Sequence, residues 1–364
     1  MTVGSAAQNE AFLSSTAAAA RTVDDLDSDD VASLLVGTSR EFSRSDVSRL
    51  AGVSVVGARK FWHALGFAST TSSDRMFTEA DLRALRRMTM LVRNGAIDEG
   101  TALALTRAFA RNTDRLAAWQ VQLIAEAMTA SSGVADVDGP LDEATAQVTA
   151  RLIIDLADEL EPMLVYAWRR HLADAVSRML ADVGTGIDAE SHGQLRCVGF
   201  ADLVSFTTLV RQLSERDLAR TVQRFEALAT DVVTAHGGRV VKTVGDEVLF
   251  ATRTPAPGAA IALDLVDALA EDAVLPDLRV GVSFGTVVSR LGDVFGTTVN
   301  RAARLTALAH PNAVLVDGPL ATALTSQSGF RLTPMRRRTL RGVGSVTPHV
   351  LARSSTPTRR GRYE

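Results

Sequence analysis

The sequence predicts a two-part chain, an all-α N-terminal region followed by an α+β domain in which an antiparallel-containing sheet carries helices on one face. Three observations carry that expectation. Apolar residues recur mostly at helical spacing from Leu82 to Leu180. The stretch Gly237 to Ala251 instead shows two strand-like runs, Val240-Val241 and Val248-Leu249-Phe250, around a Gly245-Asp246 turn signal. A length of 364 residues exceeds one typical core, and 46% hydrophobic residues are enough for globular folding.

Composition narrows the function. The net charge is only -3 and the isoelectric point about 6.1, so there is no global basic field and nucleic acid is not the expected partner. The single cysteine, Cys197, lies in an apolar strand pattern and has no internal disulfide partner; it reads as a small buried apolar residue. No apolar run approaches the roughly 20 residues of a membrane span, and Met1 onward lacks a basic region followed by a hydrophobic one. The expected location is therefore cytoplasmic.

In chain order, residues 1–22 are rich in Ala, Ser and Thr without apolar periodicity and read as a tail. A helical domain is expected over 23–183. It opens with acidic residues before Val31, Leu34, Leu35 and Val36, followed by a helix, a turn at Gly52, and a helix from about Ala58 to Leu65. With Met76-Phe77-Thr78-Glu79 opening the next helix, this segment resembles the winged helix-turn-helix of MerR-type regulators. Arg59 and Lys60 would be its groove residues, yet the acid-balanced surroundings favour a packing or regulatory role. Gly95 and Gly100 bracket a short connection, and Ser131 to Pro140 is a loop by composition. Asp142 is placed to cap a helix of about Glu143 to Glu161. Pro162 is expected to start a new helix to about Asp182, apolar on more than one face and suited to its own domain and a partner subunit. His171 lies on that helix. The Gly184-Gly186 pair marks a linker, 184–191, with His192 just beyond.

The α+β domain is expected over 192–353, with a basic tail at 354–364. Its order is a strand through Leu195 to Asp202, a helix of about Glu215 to His236, the hairpin, a helix of about Gly258 to Ala270, and a strand of about Leu278 to Phe284. A Gly-rich loop at Asp293 then leads into a helix, and Ala313-Val316 and His349-Leu351 read as closing strands. Alternating elements with a hairpin suit a ferredoxin-like α+β arrangement.

Charge sits where core strands should carry none. Asp202 ends one strand and Asp246 lies at the hairpin tip; if the strands are neighbours, the two carboxylates can share hard cations such as Mg²⁺, which take oxygen ligands. Lys242 lies within the first hairpin strand. Asn300 and Arg304 are four residues apart, so a helix presents them on one face, where an amide and a guanidinium can address an oxygen-rich group. Taken alone, Arg304 is equally a solvated surface arginine.

Together, Phe200-Ala201-Asp202 with Phe206-Thr207, Lys242-Thr243-Val244-Gly245-Asp246, and Asp293-Val294-Phe295-Gly296 with Asn300 and Ala303-Arg304 resemble the signatures of class III nucleotidyl cyclases. The match spans about 150 residues, and several motifs in the family order are more specific than any one. The resemblance implies an adenylyl cyclase that makes 3′,5′-cyclic AMP from ATP at a homodimer interface, regulated by its N-terminal domain. It implies that Asp202 and Asp246 hold two divalent cations, Mg²⁺ or Mn²⁺, that Lys242 and Asp293 read adenine, and that Asn300 and Arg304 stabilise the transition state. Arg341 falls where family members keep a basic residue near the phosphates. The segment between Gly285 and Asp293 is short for a dimerisation arm, as in bacterial members, and the layout looks like the autoregulated soluble cyclases of mycobacteria. A small molecule, a lipid or a proton sensed through His171 and His192 would be the signal. The competing readings are a DNA-binding regulator or a nucleotide sensor with a degenerate cyclase module.

Overall fold

The computed structural model describes residues 26–37, 40–67, 76–131, 142–183, 193–290 and 292–354. The chain divides into two compact units, Met1–Ala181 and Asp182–Glu364.

The first unit is helical: α1 (Ser28–Val36), α2 (Arg44–Ala51), α3 (Val55–Ala64), α4 (Glu79–Arg93), α5 (Glu99–Ser131) and α6 (Glu143–Val183), the last ending just inside the second unit. Caps set the boundaries. Ser43 and Asp46 form a capping box ahead of α2, and Thr78 and Asp81 form one ahead of α4. Asp142 Oδ1 accepts from Thr145 N at 2.8 Å as α6 begins, the capping expected of it. The helix-turn-helix segment closes on Val47, Ala58, Phe61, Trp62, Leu82 and Leu85, and an isolated bridge joins Phe42 to Phe77. Lys60, a candidate groove residue, is paired with Glu99 at 3.0 Å. Trp62 stacks on Phe77 with ring centroids 4.8 Å apart, and its buried indole Nε1 lacks a hydrogen-bond partner. That side chain borders a cavity of about 320 Å³ also lined by Arg40, Arg59, Phe67 and Phe77.

Pro162 does not restart a helix. It lies inside α6, which runs unbroken for 41 residues. An interior proline forfeits one backbone hydrogen bond and crowds the preceding turn, and the ladder on either side is long enough to carry the helix across.

The second unit contains β1 (Gln194–Leu203), α7 (Phe206–Val210), α8 (Glu215–Ala235), β2 (Arg239–Val244), β3 (Glu247–Thr252), α9 (Pro255–Ala270), β4 (Leu278–Arg290), β5 (Asp293–Phe295), α10 (Thr297–Leu308), β6 (Ala313–Val316), α11 (Gly318–Leu324), β7 (Phe330–Pro334), β8 (Arg338–Leu340), β9 (Gly344–Val346) and β10 (His349–Arg353). The main sheet runs β2-β3-β1-β4-β6-β10-β7, with β5 folded back on β4. Its pairings are antiparallel except β4 with β6. The first four strands, with α8 and α9 as connections, form the expected ferredoxin-like unit.

Side chains alternate across the sheet. On β1, Cys197, Ala201 and Leu203 join the core with Phe225, Ala229 and Val233 of α8 and Ile261 and Leu265 of α9. Val198 and Phe200 face the other way, toward Ala302, Val299 and Ala303 of α10. Helices therefore cover both faces, not one. The sequence pattern of α10 gives no sign of which side it takes, but Gly281 shows how it fits: a Cβ there would stand 2.2 Å from Thr306 N and 2.6 Å from the Ala302 carbonyl oxygen. The missing side chain lets α10 lie directly on β4. Strand β4 also runs past the expected end at Phe284 to Arg290, because the Asp293 segment is a strand that pairs with it through Val288, Ser289 and Arg290.

Candidate active site

The hairpin forms as its residues require. Gly245 adopts φ +61°, a conformation open to glycine without steric cost, and the turn carries Asp246 between β2 and β3. Leu203 N donates to the Asp246 carbonyl oxygen at 3.1 Å, tying the hairpin tip to the end of β1. Asp202 and Asp246 thereby come together, and their carboxylates interact directly.

Asp202 sits in a row of charges across three strands. Its cross-strand neighbours are Glu247 on β3 and Arg279 on β4, and residues opposite one another project to the same face. That face is the α10 side, since Leu249, Ala251, Val198 and Phe200 alternate onto it. Arg279 binds Asp202 Oδ2 twice, from Nε at 2.6 Å and Nη2 at 2.5 Å. Burial pushes the Asp202 carboxyl up; Arg279 pulls it down, and the charge of Asp246 adds to the rise. Glu247 is raised by burial and by the charges of Asp202 and Asp246, with Arg279 and Lys242 opposing.

Lys242 reaches this face through a defect. The register of β2 on β3 shifts between Val240 and Lys242, so Lys242 stands opposite Leu249 and shares its face. There Lys242 Nζ lies 2.6 Å from Asp293 Oδ2, while Asp293 Oδ1 accepts from Val294 N at 2.8 Å. Arg239 Nη1 donates to the Gly292 carbonyl oxygen at 3.0 Å, pinning the β4–β5 turn to the same edge strand. Burial raises the Asp293 carboxyl, but the Lys242 bond and charge, the Val294 N–H and the Arg239 charge outweigh it and hold it below the usual carboxylate range.

Asn300 and Arg304 are exposed, one turn apart on α10. Neither forms a hydrogen bond or ion pair with the Asp202 cluster. Beside them, Arg301 pairs with the fully buried Asp317 at 2.7 Å, which also accepts from Ser283 Oγ at 2.6 Å and Leu320 N at 2.9 Å. Arg341 is exposed in the turn of the separate β8–β9 hairpin, away from the main sheet. His171 is exposed on α6; His192 and the 184–191 linker lie outside the described residues.

The donor set suits Mg²⁺ or Mn²⁺. Among the described residues no three His, Cys, Asp or Glu side chains converge as a metal cage, but Mg²⁺ is usually held by one or two carboxylates together with substrate phosphates. Asp202 and Asp246 supply that pair, within a cluster whose carboxylates outnumber its guanidinium.

Sequence reading missed Glu247 and Arg279. Each is a lone charge in an otherwise apolar strand, Glu247-Val248-Leu249-Phe250 and Leu278-Arg279-Val280-Gly281-Val282. That is the signal by which Asp202 was found, but their link to Asp202 needs the strand register.

Comparison with known proteins agrees with this geometry. Residues 187–353 match the family model of the adenylate and guanylate cyclase catalytic domain. A protein of Glutamicibacter nicotianae called adenylate cyclase is 43% identical over 338 residues, covering 89% of this chain and 82% of that one. An adenylate cyclase of Streptomyces coelicolor is 40% identical over 347 residues, covering 88% of each. A Mycobacterium tuberculosis protein called a pH-sensitive adenylate cyclase is 30% identical over 336 residues, covering 90% of this chain and 82% of that one. No described helix is long and apolar enough to cross a membrane. With its charged cluster on the α10 face of a ferredoxin-like sheet and relatives matched along most of its length, the chain belongs to the class III nucleotidyl cyclases, the family of adenylate and guanylate cyclase catalytic domains.

Proposed function

We propose that the protein is an adenylate cyclase that converts ATP to 3′,5′-cyclic AMP and pyrophosphate. The observation that carries this reading is the Lys242–Asp293 pair, 2.6 Å apart on the face that holds Asp202 and Asp246. Adenine offers an exocyclic amine to a carboxylate acceptor and a ring nitrogen to an ammonium donor, and this pair supplies both. Guanine presents the opposite edge. An Asp293 held below the usual carboxylate range stays an acceptor at neutral pH.

Asp202 and Asp246 would hold two divalent cations, which supply charge neutralisation on the triphosphate and favour ionisation of the ribose 3′-hydroxyl. Asn300 and Arg304 orient the α-phosphate and offset the charge that develops on its oxygens. The 3′-oxygen forms the new bond to the α-phosphorus as the bond to the bridging oxygen breaks. Pyrophosphate leaves, and the hydroxyl proton ends on it or in the solvent. The exposed Asn300 and Arg304, unconnected to Asp202 within one chain, support a homodimer in which each site takes its cations from one subunit and Lys242, Asp293, Asn300 and Arg304 from the other. Arg341 as a phosphate ligand is the weakest of these assignments, since its hairpin stands apart from the sheet.

Purified full chain given ATP with Mg²⁺ or Mn²⁺ should yield cyclic AMP, and Asp202→Ala or Asp246→Ala should abolish it in a folded protein. No cyclic AMP with either ion, or full activity in either variant, would overturn the reading.

The helical region is the proposed regulator. The unbroken α6 can transmit a displacement along its length, and the M. tuberculosis relative called pH-sensitive makes a proton one candidate signal. His171 is the described group to test; the cavity beside Trp62 offers a place for a small apolar ligand. Activity of the full chain against pH, compared with His171→Ala, tests the first, and an unchanged profile removes this histidine.

A further inference from the structure

We propose that Arg279 is a resident counter-ion for Asp202, occupying the carboxylate while the divalent-cation site is empty and moving toward Glu247 when a cation takes its place. The inference rests on the proposed metal role of Asp202 and deepens it. Arg279 is not assigned to nucleotide or phosphate; it is a positioning residue acting through Asp202.

Three observations lead there. Both guanidinium bonds fall on the same oxygen, Asp202 Oδ2, from Nε at 2.6 Å and Nη2 at 2.5 Å. An oxygen so held offers little to a metal until the guanidinium withdraws. Glu247, Asp202 and Arg279 are direct cross-strand neighbours on β3, β1 and β4, so the three side chains share one face. Third, the side chain of Arg279 is 36% exposed while that of Asp202 is 14% exposed, leaving the arginine room to swing and the carboxylate little.

Charge decides the direction of the exchange. Three carboxylates, Asp202, Asp246 and Glu247, face one guanidinium, so the empty site lacks two positive charges that one divalent cation supplies. A cation on Asp202 repels the guanidinium at close range. Glu247 is the neighbouring carboxylate without an assigned ligand role, and it already interacts favourably with Arg279. With no three acidic groups converging on one ion position, Glu247 serves as the alternative berth for the arginine rather than as a third ligand. The device keeps Asp202 aligned before metal arrives, at the cost of some metal affinity.

The test measures Mn²⁺ alone, by electron paramagnetic resonance on the full chain without ATP, so the readout does not depend on turnover. Arg279→Met should bind Mn²⁺ about tenfold more tightly than wild type, because a competing positive charge is gone. Glu247→Gln should bind more weakly, because the arginine is left on Asp202. In the double variant the Glu247→Gln effect should vanish. Weakening by Glu247→Gln of equal size in both backgrounds would make Glu247 a ligand and overturn the exchange, as would Mn²⁺ affinity unchanged or lowered in Arg279→Met. Arg279→Lys, which keeps charge but cannot donate twice side by side, should fall between wild type and Arg279→Met in affinity; an affinity at or below wild type would count against the exchange even if Arg279→Met proves too unstable to measure. Failure of the metal reading itself is distinguishable: Asp202→Asn would then leave Mn²⁺ binding untouched.

Discussion

Lys242 meets Asp293 because β2 is irregular: the register shift between Val240 and Lys242 sets the lysine opposite Leu249 instead of Val248. In a regular strand it would point to the α8–α9 core, where an ammonium has no partner. A base-reading pair is thus made by one extra residue, and its contribution can be measured. Lys242→Met should lower kcat/KM for ATP by about 30-fold, the worth of about 2 kcal/mol for a hydrogen bond to a charged group. The value for GTP should change far less. An unchanged ratio of the two specificity constants would remove Lys242 from base recognition.

A shared site makes a stronger demand. Asp202→Ala and Arg304→Ala chains should each be inactive, and a stable mixed dimer should regain one competent site of two. Mixed chains that stay silent, although shown to pair, would place the whole site within one subunit.

The Arg301–Asp317 pair fixes α10 behind Asn300 and Arg304. Asp317 is fully buried and accepts from Arg301, Ser283 and the start of α11. Asp317→Asn leaves the guanidinium without its counter-charge and should cost about 3 kcal/mol. Hydrogen exchange of α10 amides would then quicken by about a hundredfold where they open with the unit. Exchange at the wild-type rate would show that the pair is dispensable.

Cys197 should be inert while the fold persists. It is fully buried, and burial, with the nearby Asp317 carboxylate, pushes its thiol well above the usual range, with a Thr252 hydrogen bond opposing. A thiol reagent such as Ellman's should find no reactive group in the native chain and one equivalent in guanidinium chloride. Rapid native reaction would mean that β1 opens far more readily than its packing allows.

How much of this the sequence discloses depends on whether a feature is local. The hairpin, its glycine turn, Asp202 and Asp246 are legible because strand propensity and turn chemistry act over a few residues. The face taken by α10 is not, since it depends on the absence of a side chain at Gly281, twenty residues upstream. Arg279 and Glu247 escape for a related reason: their partner is set by pairing across three strands, and a lone charge in an apolar strand does not name its neighbour. Pro162 misleads in the opposite way, because a strong local rule yields to a helix long enough to absorb one lost bond.

The tryptophans give the molecule an optical property of its own. Trp62 lies stacked against Phe77, Trp119 carries the Arg115 guanidinium 5.1 Å from its ring centroid, and Trp168 stands half exposed on α6. No other tryptophan occurs in the chain, so the catalytic unit is dark at the red edge of ultraviolet absorption, where tyrosine no longer contributes. Intrinsic emission excited there reports on the helical unit alone. Light from these three rings that changes when nucleotide is added would be a direct recording of one half of the protein responding to the other, with no label attached.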